Sequence, residues 1–415
     1  MRNGRVSLRV AGYLAVAALS LTPSASHAAQ PIPETDPFFA VPSNVGSYQP
    51  GDVIDARKVS AKMLELPLPT QAWQVKYRTS DRLGKPTATV TTVIKPLLPW
   101  TGPGAQPLVS YQTAEDGVST RCAPSYALSA GLLGTAGPVG GATNSYPETM
   151  LIASAMQRGL AVSVPDYEGL QSQFLVADVE AKGVLDGLRA ARRFGPANLA
   201  NSPVGVWGYS GGAFASGVAA QLQPSYAPEL PMKAVALGGF LGSIRATIDA
   251  FDGSVAGGAI PMGMHGLDRA YPQIHIREHL NATGQGLFDA TAADCINDAV
   301  ARHPFLKVSD IEAEPNTLDE PEIATMLNEN SPLYRTGVPG APVYEYHATN
   351  DELAPIGPAR ATLRKYCEAG VPVEHVARPI GEHLTEVGFG ASNALTFLTN
   401  RFAGKPFVNT CGSIP

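Results

Sequence analysis

Basic residues are in short supply. The 415-residue chain sets 30 Lys and Arg against 36 Asp and Glu, a net charge of −6. Such a surface lacks the cationic patch that grips nucleic acid or an anionic membrane, so neither is expected as a partner. Cysteine is scarcer still, with four residues at 122, 295, 367 and 411, none in the Cys-x-x-Cys spacing of a zinc site. No Gly-rich phosphate loop or dinucleotide fingerprint occurs, so no cofactor is implied, and there is no internal repeat. Beyond residue 28 no apolar run is long enough to span a bilayer. With 42 Gly and 36 Pro among abundant apolar residues, the chain is loop-rich and suits one large enzyme domain with an insertion.

The first residues hold the one long apolar stretch. Arg2, Arg5 and Arg9 precede an apolar run over 10–21 and the small residues Ser26 and Ala28, the pattern of a secretory signal peptide cut after Ala28. Its removal takes away three arginines and no acid, moving the net charge from −6 to −9. Export favours disulfides. Four cysteines allow three pairings, of which Cys122 with Cys295 and Cys367 with Cys411 is favoured, because the second bond would fasten the C-terminal tail to the end of the domain.

After a Pro-rich leader at 31–50, runs at 73–79 and 87–94 flank a polar turn and read as an antiparallel hairpin. Short apolar strands then alternate with helical segments, at 108–111, 160–164, 204–207, 234–237, 343–346 and 371–376. That rhythm predicts an α/β fold with a mostly parallel sheet covered on both faces. Between 239 and 333 it stops. About ninety residues without a strand exceed an ordinary loop, so an inserted helical cap is expected. The layout is a leader at 1–28, core at 29–239, cap at 240–333 and core again at 334–415.

Within the core, VGVWGYSGGAFASGVAAQL at 204–222 runs from strand through tight turn to small-residue helix. Gly208 and Gly212 stand two positions either side of Ser210 and leave room for the strained turn of a nucleophile elbow. A serine hydroxyl needs a base, and on such a sheet the partners follow in the order Ser, Asp or Glu, His. Only His375 and His383 lie beyond the next good acid. His375 falls inside the 371–376 strand, whereas His383 follows it in a loop before an amphipathic helix, where a base can project from the sheet edge. For the acid, the 343–346 strand runs on into Asp351 and Glu352, and Asp351 is preferred as the first after the turn. His347 reads as support for that loop or as core.

The chain resembles the secreted lipases typified by fungal lipase A, within the α/β-hydrolases. The likeness spans roughly 47–411 and rests on YQTAED at 111–116, CAPSY at 122–126, PDYEG at 165–169, GYSGG at 208–212, SYAPEL at 225–230 and EHLT at 382–385. It implies the same Ser210, Asp351 and His383 and the same cysteine pairs. It also implies an oxyanion hole formed by the Gly211 N–H together with Asp116. An ionised carboxylate would repel a developing oxyanion, so Asp116 can serve only through its backbone N–H or as a protonated acid. Read without the resemblance, Asp116 caps the loop after the 108–111 strand. The family pattern continues past its last cysteine into a flap over the site; only four residues follow Cys411 here, so gating at a lipid interface is not carried over.

Two signals are weaker. His275 and His279 stand four apart, as a helical metal pair would, but no third ligand is near in sequence; a solvated cap helix and no metal are expected. Asn281-Ala282-Thr283 is a glycosylation sequon. Taken together, the residues and the resemblance predict an exported serine ester hydrolase, a triacylglycerol lipase or carboxylesterase, that forms an acyl-enzyme from a small-molecule ester or lipid. Transient contact with a lipid interface is compatible with this, and no oligomeric state is implied. A short-chain carboxylesterase, a serine peptidase or amidase, and a non-catalytic binding protein are the alternatives.

Overall fold

The computed structural model describes residues 31–63, 65–131 and 145–415, and the signal-peptide expectation for 1–28 lies outside them. In chain order the strands are β1 (Val53–Val59), β2 (Lys62–Met63), β3 (Leu66–Pro67), β4 (Thr70–Ser80), β5 (Pro86–Pro96), β6 (Leu108–Gln112), β7 (Ala161–Pro165), β8 (Val204–Tyr209), β9 (Met232–Gly238), β10 (Val343–Ala348) and β11 (Val373–Arg378). β2 and β3 form a small ribbon of their own, while the rest make one sheet in the order β1-β4-β5-β7-β6-β8-β9-β10-β11. From β7 to β11 every pairing is parallel, and β1, β4 and β5 join as an antiparallel edge.

Helices α1 (Pro124–Ala130), α2 (Ser145–Gln157), α3 (Ala177–Arg193) and α4 (Gly211–Tyr226) precede β9. In the stretch expected to form a cap, helices α5 (Ile244–Phe251), α6 (Ala259–Ala270), α7 (Ala282–Thr291), α8 (Ile296–Arg302), α9 (Val308–Ile311) and α10 (Pro321–Asn330) follow it, with no strand among the described residues before β10. Then come α11 (Ile356–Glu368) and α12 (His383–Phe402). Alternating side chains split the sheet into two cores. Val204, Val206, Val235 and Leu237 pack with α3, α4 and α11 on one face; Trp207, Tyr209, Ala236 and Tyr346 pack with α2 and α12 on the other. Both faces are buried, which is why the parallel strands read as unbroken apolar runs.

β1 was not expected. Its sequence VIDARKV carries three charges and is nowhere fully buried, as suits an edge strand kept polar against further pairing. Arg57 reaches Asp36 at 2.6 Å and Gln74 at 2.7 Å, so its charge is held by the leader and by the neighbouring strand.

The histidine-bearing stretch of the cap also differs from expectation. Pro272–Ile274 and Ile276–His279 are two 3-10 turns with His275 between them at φ 53°, so the four-residue spacing does not stack His275 on His279 as an α-helix would. In the sequon, the Asn281 side-chain oxygen caps α7 by accepting from the Gly284 N–H at 2.9 Å. Its amide nitrogen donates to the Asp310 and Glu312 carbonyls at 3.0 and 3.1 Å, so the acceptor atom for a glycan is already engaged twice.

Two disulfides close, Cys122–Cys295 and Cys367–Cys411, across 173 and 44 residues. Loop-closure entropy assigns them about 5 and about 4 kcal/mol. The first ties the loop after β6 to the cap ahead of α8. Around it the Val118 N–H donates to the Asp294 carbonyl at 2.9 Å, and the Ile296 N–H donates to the Asp116 carbonyl at 3.0 Å.

Candidate active site

β8 runs straight into Ser210, whose backbone sits at φ 55° and ψ −123°, a conformation that costs a non-glycine residue energy and turns its side chain out of the sheet. The Ser210 N–H donates to the Gly238 carbonyl at 2.8 Å, and its carbonyl accepts from the Phe214 N–H to begin α4. A Cβ on Gly208 would fall into the Gly212 carbonyl and one on Gly212 into the Gln112 carbonyl, so the turn closes only with glycine at both places.

His383 opens α12, where Glu382 and Thr385 form a reciprocal capping box. Its Nε2 lies 2.7 Å from the Ser210 hydroxyl, and its Nδ1 lies 2.9 and 2.8 Å from the two Asp351 carboxylate oxygens. Asp351 is held in turn by the Leu353 and Ala354 N–H groups at 3.0 and 2.7 Å. Burial alone would raise its pKa, but bonds from His347 and His383 hold this carboxyl well below the usual range, ionised and able to fix the imidazole. Glu352, the competing acid, instead accepts from the His383 backbone N–H at 3.2 Å. Tyr209 donates to the His383 carbonyl at 2.6 Å. The structure therefore brings Ser210, His383 and Asp351 into one hydrogen-bonded line.

Asp116 lies beside them at φ 38°, buried. Its carboxyl stands against Gly211, where any Cβ would collide with Oδ1. Both residues, with Ser210, line a cavity whose remaining wall is mostly apolar, Thr247, His279 and Thr317 excepted, and drawn mostly from the cap, including Leu241, Ile248, Ile260, Met264 and Leu327. Such a wall suits a hydrocarbon chain.

Sequence reasoning did not foresee how many acids are buried around Asp116. Glu115, Glu168 and Glu180 are fully buried, each with one carboxyl oxygen lacking a hydrogen-bond partner, and burial pushes all three well above the usual range. Burial likewise pushes Glu148 to about 8 and Asp166 to about 7. These carboxyls keep protons in the fold that the unfolded chain releases near pH 4, so stability falls as pH rises from there towards 8. On the acid side, Glu345, held down to about 2, and Asp351 lose their contribution as pH drops below about 4. The melting temperature is therefore expected to peak near pH 4 and to be several degrees lower at pH 8. Calorimetry from pH 3 to 9 checks this, and a flat or rising profile from 5 to 8 would mean that the buried acids ionise in place.

Among the described residues, one group could hold a metal ion by proximity: His279, Glu320 and Glu322 bring donor atoms within 4.8 Å of one another. Glu322 is largely exposed, and the two His279 nitrogens face different acids, Nδ1 towards Glu320 at 3.0 Å and Nε2 towards Glu322 at 3.5 Å. Nε2 also lies 3.2 Å from the Ile274 carbonyl. An imidazole bridging two acids is the arrangement formed, not three donors turned to one point.

Comparison with known proteins converges on one group. The pattern of the Secretory lipase family matches residues 139–410. Lipase 4 of Candida albicans is 35% identical over 395 residues, covering 91% of this chain and 83% of its own. The "Probable inactive lipase MT1628" of Mycobacterium tuberculosis is 34% identical over 385 residues, covering 91% and 84%, so kinship alone does not settle activity and the site geometry matters. Among solved structures, Candida antarctica lipase A in its closed state superposes with a TM-score of 0.84 at 32% identity, over 94% of this chain and 90% of that one.

Proposed function

The chain belongs to the secretory lipase family and is a carboxylic ester hydrolase of α/β-hydrolase fold; we propose that Ser210, His383 and Asp351 are its catalytic triad and that fatty acyl esters are its substrates. The observation that carries this is the 2.7 Å contact of the Ser210 hydroxyl with His383 Nε2, with Ser210 lining a largely apolar cavity. His383 takes the hydroxyl proton as Ser210 attacks the ester carbonyl, and Asp351 stabilises the imidazolium that forms. The imidazolium gives the proton to the departing alcohol, leaving an acyl-enzyme whose chain lies along the cap. Water then repeats the steps and releases the acid. The 1–28 leader would export the enzyme, and Ile380 and Leu384, both strongly exposed beside His383, would meet a lipid surface.

The tetrahedral oxyanion is met by the Gly211 N–H and by Asp116. A carboxylate would oppose the oxyanion, so Asp116 serves either through its backbone N–H or as a protonated acid donating a hydrogen bond. Asp116→Ala is expected to lower turnover about ten- to a thousandfold with little change in KM, and Asp116→Asn, which keeps a donor, should recover part of that loss. Equal activity of Ala and wild type would leave Asp116 a loop-capping role.

Hydrolysis of p-nitrophenyl esters from acetate to palmitate, with an emulsified triglyceride alongside, tests the substrate class. Cleavage of long esters and triglyceride is expected. Activity confined to short esters would make this a carboxylesterase.

A further inference from the structure

Behind Asp351 the hydrogen bonds continue into the sheet. Glu345 and His347, two apart on β10, point to the same face, and Glu345 pairs in register with His375 on β11. His347 Nδ1 lies 2.7 Å from Glu345 Oε1, and His375 Nδ1 lies 2.5 Å from Glu345 Oε2. On its other side His347 Nε2 lies 2.7 Å from the Ala354 carbonyl and 3.3 Å from Asp351 Oδ2. Glu345 and His347 are both fully buried.

The protons in this line follow from its ends. Arg360 Nε donates to His375 Nε2 at 3.3 Å, so that nitrogen is an acceptor and His375 carries its proton on Nδ1, facing Glu345. At the other end, both neighbours of His347 Nε2 are acceptors, so that nitrogen bears a proton. Glu345 accepts from His375 and, as a carboxylate, also from His347 Nδ1, which makes His347 an imidazolium. Burial alone would raise Glu345 and lower His347, but their mutual attraction reverses both, holding Glu345 to about 2 and pushing His347 up to about 10.

We propose that His347, clamped between the Glu345 and Asp351 carboxylates, is a positioning residue that orients Asp351 and shares its charge, and that Glu345 acts through it. The proposal rests on the triad reading above. A cation 3.3 Å from Asp351 Oδ2 takes up part of the field that would otherwise favour protonation of His383. Less of the Asp351 charge is then left to hold a second proton on His383. A buried ion pair with no such role would be a net expense to the fold.

His347→Gln removes the positive charge. The acidic limb of kcat/KM on a soluble short ester is then expected to move up by about one pH unit, because His383 is protonated more easily. The other groups facing this line stay in place: Glu345, His375, Arg360, Asp351, Tyr209, Glu382, and Glu386 with its Arg378 partner at 2.7 Å. A purely structural His347 would lower the melting temperature or the active fraction and leave the limb where it was, and that result overturns the proposal. Should the variant not fold, nitrogen-15 histidine spectra of the unmodified protein decide. One imidazole keeping both ring protons above pH 8 supports the proposal; loss of a proton by every histidine below pH 8 defeats it. Failure of the triad reading would show separately, as activity surviving in Ser210→Ala.

Discussion

Ser210→Ala is expected to lower turnover of a soluble ester by about a millionfold while leaving the melting temperature nearly unchanged. Among the described residues the serine hydroxyl holds only a hydrogen bond to His383 at 2.7 Å, and alanine suffers no more than serine from the φ of 55° at the elbow. The turn, its hydrogen bond to Gly238 and the start of α4 therefore survive. What remains is binding and the oxyanion donors, which by themselves retain a small part of the acceleration. Fluorophosphonate labelling supplies an independent reading, since wild type should gain one adduct on Ser210 and the variant none. Activity that persists in the variant would remove Ser210 as nucleophile and revive the binding-protein alternative.

Asp351→Asn should cost about ten-thousandfold in kcat. The mechanism is a wrong tautomer. Asp351 offers two acceptor oxygens to His383 Nδ1, which keeps the imidazole proton there and leaves Nε2 free to take the serine proton. An asparagine can turn its NH2 towards Nδ1, so the proton moves to Nε2 and the base is blocked. The Leu353 and Ala354 N–H groups can still bond the side-chain oxygen, so the loop keeps its shape. Glu352 cannot step in, because it is committed to the His383 backbone. Kinetics on the folded variant, with circular dichroism as control, checks this; a loss below tenfold would show that another group orients the imidazole.

Much of this arrangement is legible from residues alone, for a physical reason. Parallel strands buried on both faces leave continuous apolar runs, and the elbow needs glycines at fixed offsets from Ser210, so both leave local marks. β1 leaves none, since an edge strand with Asp55, Arg57 and Lys58 has no apolar alternation to detect. Spacing could order Asp351 ahead of Glu352 but not assign the second acid its task, which depends on where α12 begins. The His275–His279 spacing misled because it presumes an α-helix, and Pro272 with the left-handed His275 breaks one. Glu345 and His347 did leave a sign: two polar side chains at i and i+2 in an otherwise apolar strand must share a face and need partners there. The acids around Asp116 leave no such sign, because burial of Glu115, Glu168 and Glu180 is decided by segments far apart in the chain.

The seam around Cys122 and Cys295 bears on how this enzyme could be rebuilt. The loop carrying Asp116 is stitched to the cap by a disulfide, an isolated bridge between Gly117 and Cys295, and the Ile296-to-Asp116 hydrogen bond. A cap grafted from a relative to change acyl preference would thus carry one half of a joint whose other half stays in the host. Recombination at 239 and 333 alone cuts through that joint, whereas a transplant that also brings residues 114–122 moves it whole. Chimeras made both ways should differ in turnover even when they share the same cavity wall.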